Sequence, residues 1–219
     1  MANSFTLLTS KQQTELSALI SIYQDAIEPT EQKTPKEIEA MLSDRRYVLT
    51  VSYTGSQISG FTIAFFPDGA DFWLLEYMAV AAEMRGKRIG EALFNEAHRY
   101  GLQRDPERIC ILEVDRPSSS TNPKNDTEGR FRFYRRLDCR VVQGLDYVLP
   151  LNAGGTPPPM LLLTYRQPPL EAVSKVRVRQ WLLSLYVDVY GKLPSDARIA
   201  AMVSHLGAIV SLVLMCNFT

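Results

Sequence analysis

A short turn rich in glycine and basic residues joins an apolar segment to an amphipathic one near the middle of the chain. The stretch from Leu74 to Leu93 reads LLEYMAVAAEMRGKRIGEAL. A strand that breaks into a turn and then a helix leaves backbone N–H groups without partners, and the helix dipole adds partial positive charge there. Glycine lets an oxygen-rich group approach the main chain closely. The sequence therefore predicts a phosphate or pyrophosphate site in this turn.

Two common phosphate-binding patterns, GxxxxGK[ST] and GxGxxG, are missing from the sequence. The spacing from Met78 to Gly90 instead resembles the acyl-CoA signature of the GNAT superfamily of N-acetyltransferases. Ala82 stands where the family often has proline, and Arg88 replaces the first glycine of its Arg-x-x-Gly-x-Gly core. A positive φ would make Arg88 a strained choice. The resemblance implies a coenzyme A site at Met78, Ala79, Val80, Arg85, Gly86, Lys87, Arg88, Ile89, Gly90 and Glu91.

A second motif lies about fifty residues further along, where the chain reads FYRRLDCR from Phe133. It is similar to the family's (F/L)YxxxGF element, with Asp138 in place of glycine and Cys139 in place of phenylalanine. The resemblance implies that Tyr134 lies near the thioester sulfur. A phenol with an ordinary pKa of about 10 is suited to give a proton to a departing thiolate.

The order of strand and helix patterns extends the resemblance over residues 4–166, which we interpret as a GNAT acetyltransferase domain comprising residues 1–166. This order predicts an α+β fold with a mixed, mostly antiparallel sheet and helices on both faces. We expect strands at 4–9, 47–53, 59–66, 72–80, 109–114, 140–149 and 160–165, and helices at 11–26, 34–43, 86–103 and 128–137.

Two glutamates are candidates for the general base that an amine nucleophile requires. Glu113, in the sequence ILEV, resembles the base of ribosomal-protein N-terminal acetyltransferases, and Glu76 lies in the strand that enters the turn. Burial in an apolar strand would raise the pKa of either carboxyl toward the working range of a base. The family often has an asparagine that fixes the pantetheine arm, and Asn125 is the nearest candidate for it here.

The balance of charge and the cysteine count exclude some other classes. Lys plus Arg and Asp plus Glu number 24 each, so no overall basic field favours nucleic acid. The three cysteines are scattered and form no CxxC or Cys/His cluster, so we expect no metal site. An odd cysteine count and an N-terminus without a signal-peptide pattern favour a reducing, cytoplasmic setting.

Residues 167–219 lie beyond the resemblance and form a C-terminal helical extension in this interpretation. Apolar spacing predicts helices at 170–190 and 196–215, joined by a turn at 191–195. Such a hairpin must bury an apolar face. It could pack on the preceding domain, or residues 170–216 could mediate a homodimer or contact a partner protein. Polar residues interrupt the last apolar run, so we do not expect it to enter a membrane.

The sequence as a whole predicts an N-acetyltransferase that moves an acetyl group from acetyl-CoA to a primary amine on a small molecule or peptide. Direct attack needs no covalent enzyme intermediate, because the thioester carbonyl is already activated. Two alternatives stay open: a coenzyme A-binding regulatory or interaction protein that has lost catalysis, and an acyltransferase that uses a longer acyl-CoA.

Overall fold

The computed structural model of the protein describes residues 3–9, 11–117, 126–150 and 159–215. The chain divides into two compact units, Met1–Asp68 with Trp73–Arg108, and Gly69–Phe72 with Ile109–Thr219. Among the helices in these described ranges, none has both the length and the apolar character needed to cross a bilayer.

Among its described residues the first unit has four antiparallel strands, paired in the order β1-β2-β3-β4, and three α-helices. Its elements are β1 (Asn3–Leu7), α1 (Gln13–Ala26), α2 (Pro35–Met41), β2 (Tyr47–Thr54), β3 (Gln57–Phe65), β4 (Phe72–Val80) and α3 (Ile89–Arg104). The predicted strands and helices of this region are confirmed, although α3 begins three residues later than expected.

Local sequence explains where the α2 helix of this unit starts. The Thr34 side chain accepts a hydrogen bond from the Glu37 amide, the Glu37 carboxylate accepts one from the Thr34 amide, and Pro35 takes the first helical position. This capping box satisfies two donors that a helix N-terminus otherwise leaves open. Ile38 and Met41 then join the core that also holds Phe61 of β3.

The second unit is also built on antiparallel pairs, in the order β5-β7-β6-β9-β8. Its elements are β5 (Ile109–Asp115), α4 (Thr127–Arg136), β6 (Arg140–Val142), β7 (Met160–Tyr165), β8 (Ala172–Ser174), α5 (Lys175–Ser184), α6 (Ala197–Ser204) and β9 (Ile209–Leu214). The strand predicted at 140–149 is shorter than expected, with Tyr147 making a single bridge to Met160.

The prediction of a purely helical extension is wrong at both ends. Ser174 caps α5 with its side chain, so residues 172–174 form a strand instead of the first helical turn. Gly207 follows α6, and the β-branched run after it forms β9, which pairs with both β6 and β8. Strand β9 belongs to the extension, yet it pairs with β6 of the predicted acetyltransferase domain. The end of that domain at residue 166 therefore stays a prediction.

Gly101 of α3 lies against the buried indole of Trp73. A Cβ added to Gly101 would lie 2.7 Å from Trp73 Nε1 and 2.8 Å from Cε2. Helix propensity alone favours alanine by about 1 kcal/mol, but overpacking a core costs about 1–3 kcal/mol. We therefore expect Gly101→Ala to lower the free energy of unfolding, measured by urea denaturation. Asn95→Ala, at an exposed position of the same helix, is the control, and an equal gain in stability from both changes would contradict the prediction.

Candidate coenzyme A and acyl-transfer site

The turn between β4 and α3 has the geometry expected of an anion site. A short 3-10 turn, Ala82–Met84, follows β4, and the chain then reaches α3 through two left-handed residues. The φ angles are 79° at Gly86 and 60° at Arg88. The strand–turn–helix prediction is therefore confirmed.

Six successive amides at this turn, those of residues 86–91, have no backbone acceptor among the described residues. The first bond of α3 runs from the Ala92 amide to the Arg88 carbonyl, at 3.2 Å. These donors lie at the N-terminus of a 16-residue helix, so its dipole adds to their partial positive charge. Gly86 leaves open space where a side chain would lie. These features fit a pyrophosphate group such as that of coenzyme A.

Basic side chains flank the same turn. Arg85, Lys87 and Arg88 are all exposed. The Arg85 Nε donates to the Val80 carbonyl at 3.3 Å, and the Lys87 Nζ lies 3.4 Å from the Met84 sulfur. Both side chains are thus held near the turn, where they favour an anion.

The other residues predicted to bind coenzyme A lie on the strand before the turn and the helix after it. Met78, Ala79 and Val80 of β4 lie opposite Thr62, Phe61 and Gly60 of β3. Ile89 is buried, whereas Glu91 is exposed on the first turn of α3. Asn125 lies outside the described residues.

Glu76 lies at an irregularity of β4. Tyr77 is opposite Ile63 and Leu75 is opposite Ala64, so Glu76 is an extra residue in this strand, which is the arrangement of a β-bulge. Its side chain is 3% exposed, and the Lys33 Nζ lies 3.2 Å from its Oε1. Burial raises the pKa of the Glu76 carboxyl, and the nearby Lys33 ammonium and Tyr47 phenol oppose that rise.

Glu113 has a different environment at the end of β5. Tyr147 donates a hydrogen bond to its Oε1, and Tyr190 donates to its Oε2 at 2.7 Å. Tyr190 follows a π-helical turn at Leu185–Val189 in the C-terminal extension. Sequence reasoning missed both tyrosines, because phenols so far along the chain from Glu113 carry no local signal of a contact with it.

Tyr134 lies on α4 in the second unit. Burial, followed by the nearby Cys139 and Cys110, raises the pKa of its phenol, while Arg130 opposes the rise. The phenol therefore keeps its proton at neutral pH. Asp138 ends this segment with a φ of 57°, the left-handed conformation in which the family usually has glycine.

Asp115, two residues after Glu113 in β5, contacts the helix that carries Tyr134. The Arg130 Nη2 of α4 lies 2.5 Å from its Oδ2.

Comparison with known proteins finds a family model that matches just under half of the chain. Residues 16–121 match the sequence model of the Acetyltransferase (GNAT) family. No curated protein sequence matches the chain. Over this stretch the chain is similar to a GNAT acetyltransferase domain, and the chain has the α+β GNAT fold. The family match ends before Tyr134, so the role of that residue rests on the second motif.

Solved structures show the same fold. A GNAT-family protein from Bacteroides thetaiotaomicron is 19% identical, with a TM-score of 0.67 over 87% of this chain and 99% of that chain. The ribosomal-protein-S18-alanine N-acetyltransferase of Escherichia coli is 18% identical, with a TM-score of 0.54 over 74% and 92%. An aminoglycoside 6'-N-acetyltransferase complexed with coenzyme A is 19% identical, with a TM-score of 0.57 over 74% and 96%. At these identities the likeness concerns the fold.

Arg88→Gly tests the cost of the left-handed turn. A side chain at positive φ costs about 1–2 kcal/mol, and glycine removes that cost but gains entropy in the unfolded chain. We expect the change to raise the free energy of unfolding by about 0.5–1 kcal/mol in urea denaturation. Arg85→Gly, at a φ of −63°, is the matched control and should give no gain. Equal effects at the two positions would show that the backbone at Arg88 is not strained.

Proposed function

We propose that the protein transfers the acetyl group of acetyl-CoA to a primary amine by direct attack. The observation that carries the proposal is the run of six amides at residues 86–91, which have no backbone acceptor among the described residues and lie at the N-terminus of α3. Gly86 and the exposed Lys87 add close access and charge. Acetyl-CoA supplies the activated thioester, and the amides of this turn would hold its pyrophosphate. We extend the proposal to a reducing, cytoplasmic setting because the cysteine count is odd.

Glu76 is the general base in this proposal. Its burial and raised pKa bring the carboxyl toward the range in which it can accept a proton from an ammonium group. Glu76 also lies on β4, the strand that leads into the amide turn. Glu113 is the weaker choice because hydrogen bonds from Tyr147 and Tyr190 occupy both of its oxygens.

Tyr134 is the general acid in this proposal. Its raised pKa keeps the phenol protonated, so it can donate a proton to a departing sulfur. The backbone N–H of Val80 or a neighbour would polarise the carbonyl oxygen, as the family resemblance implies. The acceptor is a small-molecule or peptide amine, since free amines are the nucleophiles that such a base activates.

Coenzyme A binding is the first test of the function. We expect isothermal titration calorimetry to detect binding, and Lys87→Glu to weaken it about tenfold, or about 1.4 kcal/mol, because a cation beside the turn is replaced by an anion. Lys11→Glu makes the same charge change at an exposed position near the N-terminus and should leave affinity unchanged. Absence of binding by the wild type would overturn the proposal.

Turnover separates the enzyme from its alternatives. Acetyl-CoA consumption with a panel of primary amines, combined with binding data, distinguishes catalysis from binding alone. Binding without turnover, together with no effect of Tyr134→Phe on any rate, would favour a regulatory protein that has lost catalysis. Mass spectrometry of any co-purified thioester would reveal a longer acyl group.

Paired substitutions test which glutamate is the base. Glu76→Gln should lower kcat about 10²-fold or more, because the proton acceptor is lost while the shape is kept. Glu113→Gln should leave kcat within a few-fold of wild type but lower the free energy of unfolding by about 1–3 kcal/mol, since two phenols lose a charged acceptor. Steady-state kinetics and urea denaturation measure these effects. The opposite pattern would assign the base to Glu113.

A further inference from the structure

Lys33 places a primary amine of the protein's own chain beside the proposed base. Its Nζ lies 3.2 Å from Glu76 Oε1, and the two side chains are 20% and 3% exposed. The contact joins the segment before α2 to the bulge of β4. An external acceptor would have to bring its ammonium group close to Glu76 so that the carboxylate can accept a proton. The Lys33 amine already has this charge and this position.

The backbone on both sides of Lys33 is held in place. The Lys33 amide donates to the Tyr23 hydroxyl at 2.7 Å, and the Tyr23 ring is buried. Before it, the Gln32 side chain donates to the carbonyls of Ile27 and Gln24 at 2.7 and 3.1 Å. After it, Thr34 caps α2. The amine therefore meets Glu76 from a fixed segment, and such prior ordering lowers the entropic cost of a reaction.

We propose that Lys33 is a self-acetylation site, whose amine takes the acetyl group when no external acceptor is bound. This inference rests on the proposed function, because it uses the same donor and the same base. It adds a covalent modification of the chain itself and identifies the residue that carries it.

The reaction balances with groups already described. The Lys33 ammonium gives one proton to Glu76, and the neutral amine forms a C–N bond with the acetyl carbonyl carbon. The C–S bond breaks, and the sulfur leaves with the electron pair. The nitrogen then loses a second proton, and protonation of the sulfur gives the thiol of coenzyme A. Glu76 later releases its proton to solvent. The products are Nε-acetyl-Lys33, coenzyme A and one proton.

Modification would change the electrostatics of the site. The ammonium of Lys33 opposes the rise in the pKa of Glu76, and acetylation removes that positive charge. A buried carboxylate without a cationic neighbour favours its protonated form. Acetyl-Lys33 would thus switch off the base for external amines, which makes the modification a regulatory one.

Site-resolved labelling tests the inference. The purified full chain is incubated with isotope-labelled acetyl-CoA, and acetyl incorporation is followed at each lysine by peptide mass spectrometry. Lys36 is the internal control, since it lies exposed on the first turn of α2, only three residues away. We expect Lys33 to be labelled at least about tenfold faster than Lys36, at a rate independent of protein concentration.

Three variants assign the effect to the contacts described. Glu76→Gln should lower the labelling rate of Lys33 to that of Lys36, and it should leave the labelling rate of Lys36 unchanged. Lys33→Arg keeps the charge beside Glu76 and should abolish the fast label. Tyr23→Phe keeps both charges but releases the Lys33 amide, and it should slow labelling several-fold. Tyr23→Phe still tests the inference if the Glu76→Gln protein does not fold.

Coenzyme A binding, measured in parallel by calorimetry, separates the two failures. If coenzyme A binds but Lys33 is labelled no faster than Lys36, self-acetylation is overturned and the proposed function is not. A Lys33 rate proportional to protein concentration would replace self-acetylation with transfer between molecules, which also overturns the inference. Absence of both coenzyme A binding and fast labelling would overturn the function and the inference together.

Discussion

The left-handed turn at Gly86 and Arg88 sets the direction in which α3 leaves β4, and the candidate site depends on that direction. Both residues have positive φ, and the amides of residues 86–91 have no backbone acceptor among the described residues. Burial of Ile89 and Leu93 in a cluster with Met84 offsets the strain at Arg88. Burial of the apolar face of α3 therefore stabilises the conformation of the turn. A less stable helix would leave the backbone amide donors of the turn less ordered.

The two candidate carboxylates show how environment can divide similar residues between different roles. Glu76 is buried beside a lysine, and its raised pKa comes from desolvation. Glu113 is surrounded by phenols that donate to both of its oxygens. The contact described for Glu76 is with a primary amine, which is the kind of group that an acetyl transfer would use as acceptor. This contrast underlies the assignment of the base to Glu76 and a structural role to Glu113.

Local patterns in the sequence predicted most of the first unit but little of the extension. The turn motif, the cap at Thr34 and the strands β2 to β4 follow from short-range signals that survive in the fold. Contacts such as that of Tyr190 with Glu113, 77 residues apart, have no such signal. The sequence predicts a helix where β9 forms, because a short apolar run fits either period, and only pairing with β6 and β8 decides between them.

The last strand in the order of the second unit limits how strands can be added at that end. Among the described strands of this unit, β8 is the last in the order, and it is three residues long. The neighbouring Val176 and Ile209 are apolar and exposed by 66% and 69%. A long edge with such side chains would template the addition of strands from other copies of the chain. The short edge offers few backbone groups for that purpose and so protects the protein against aggregation through this side.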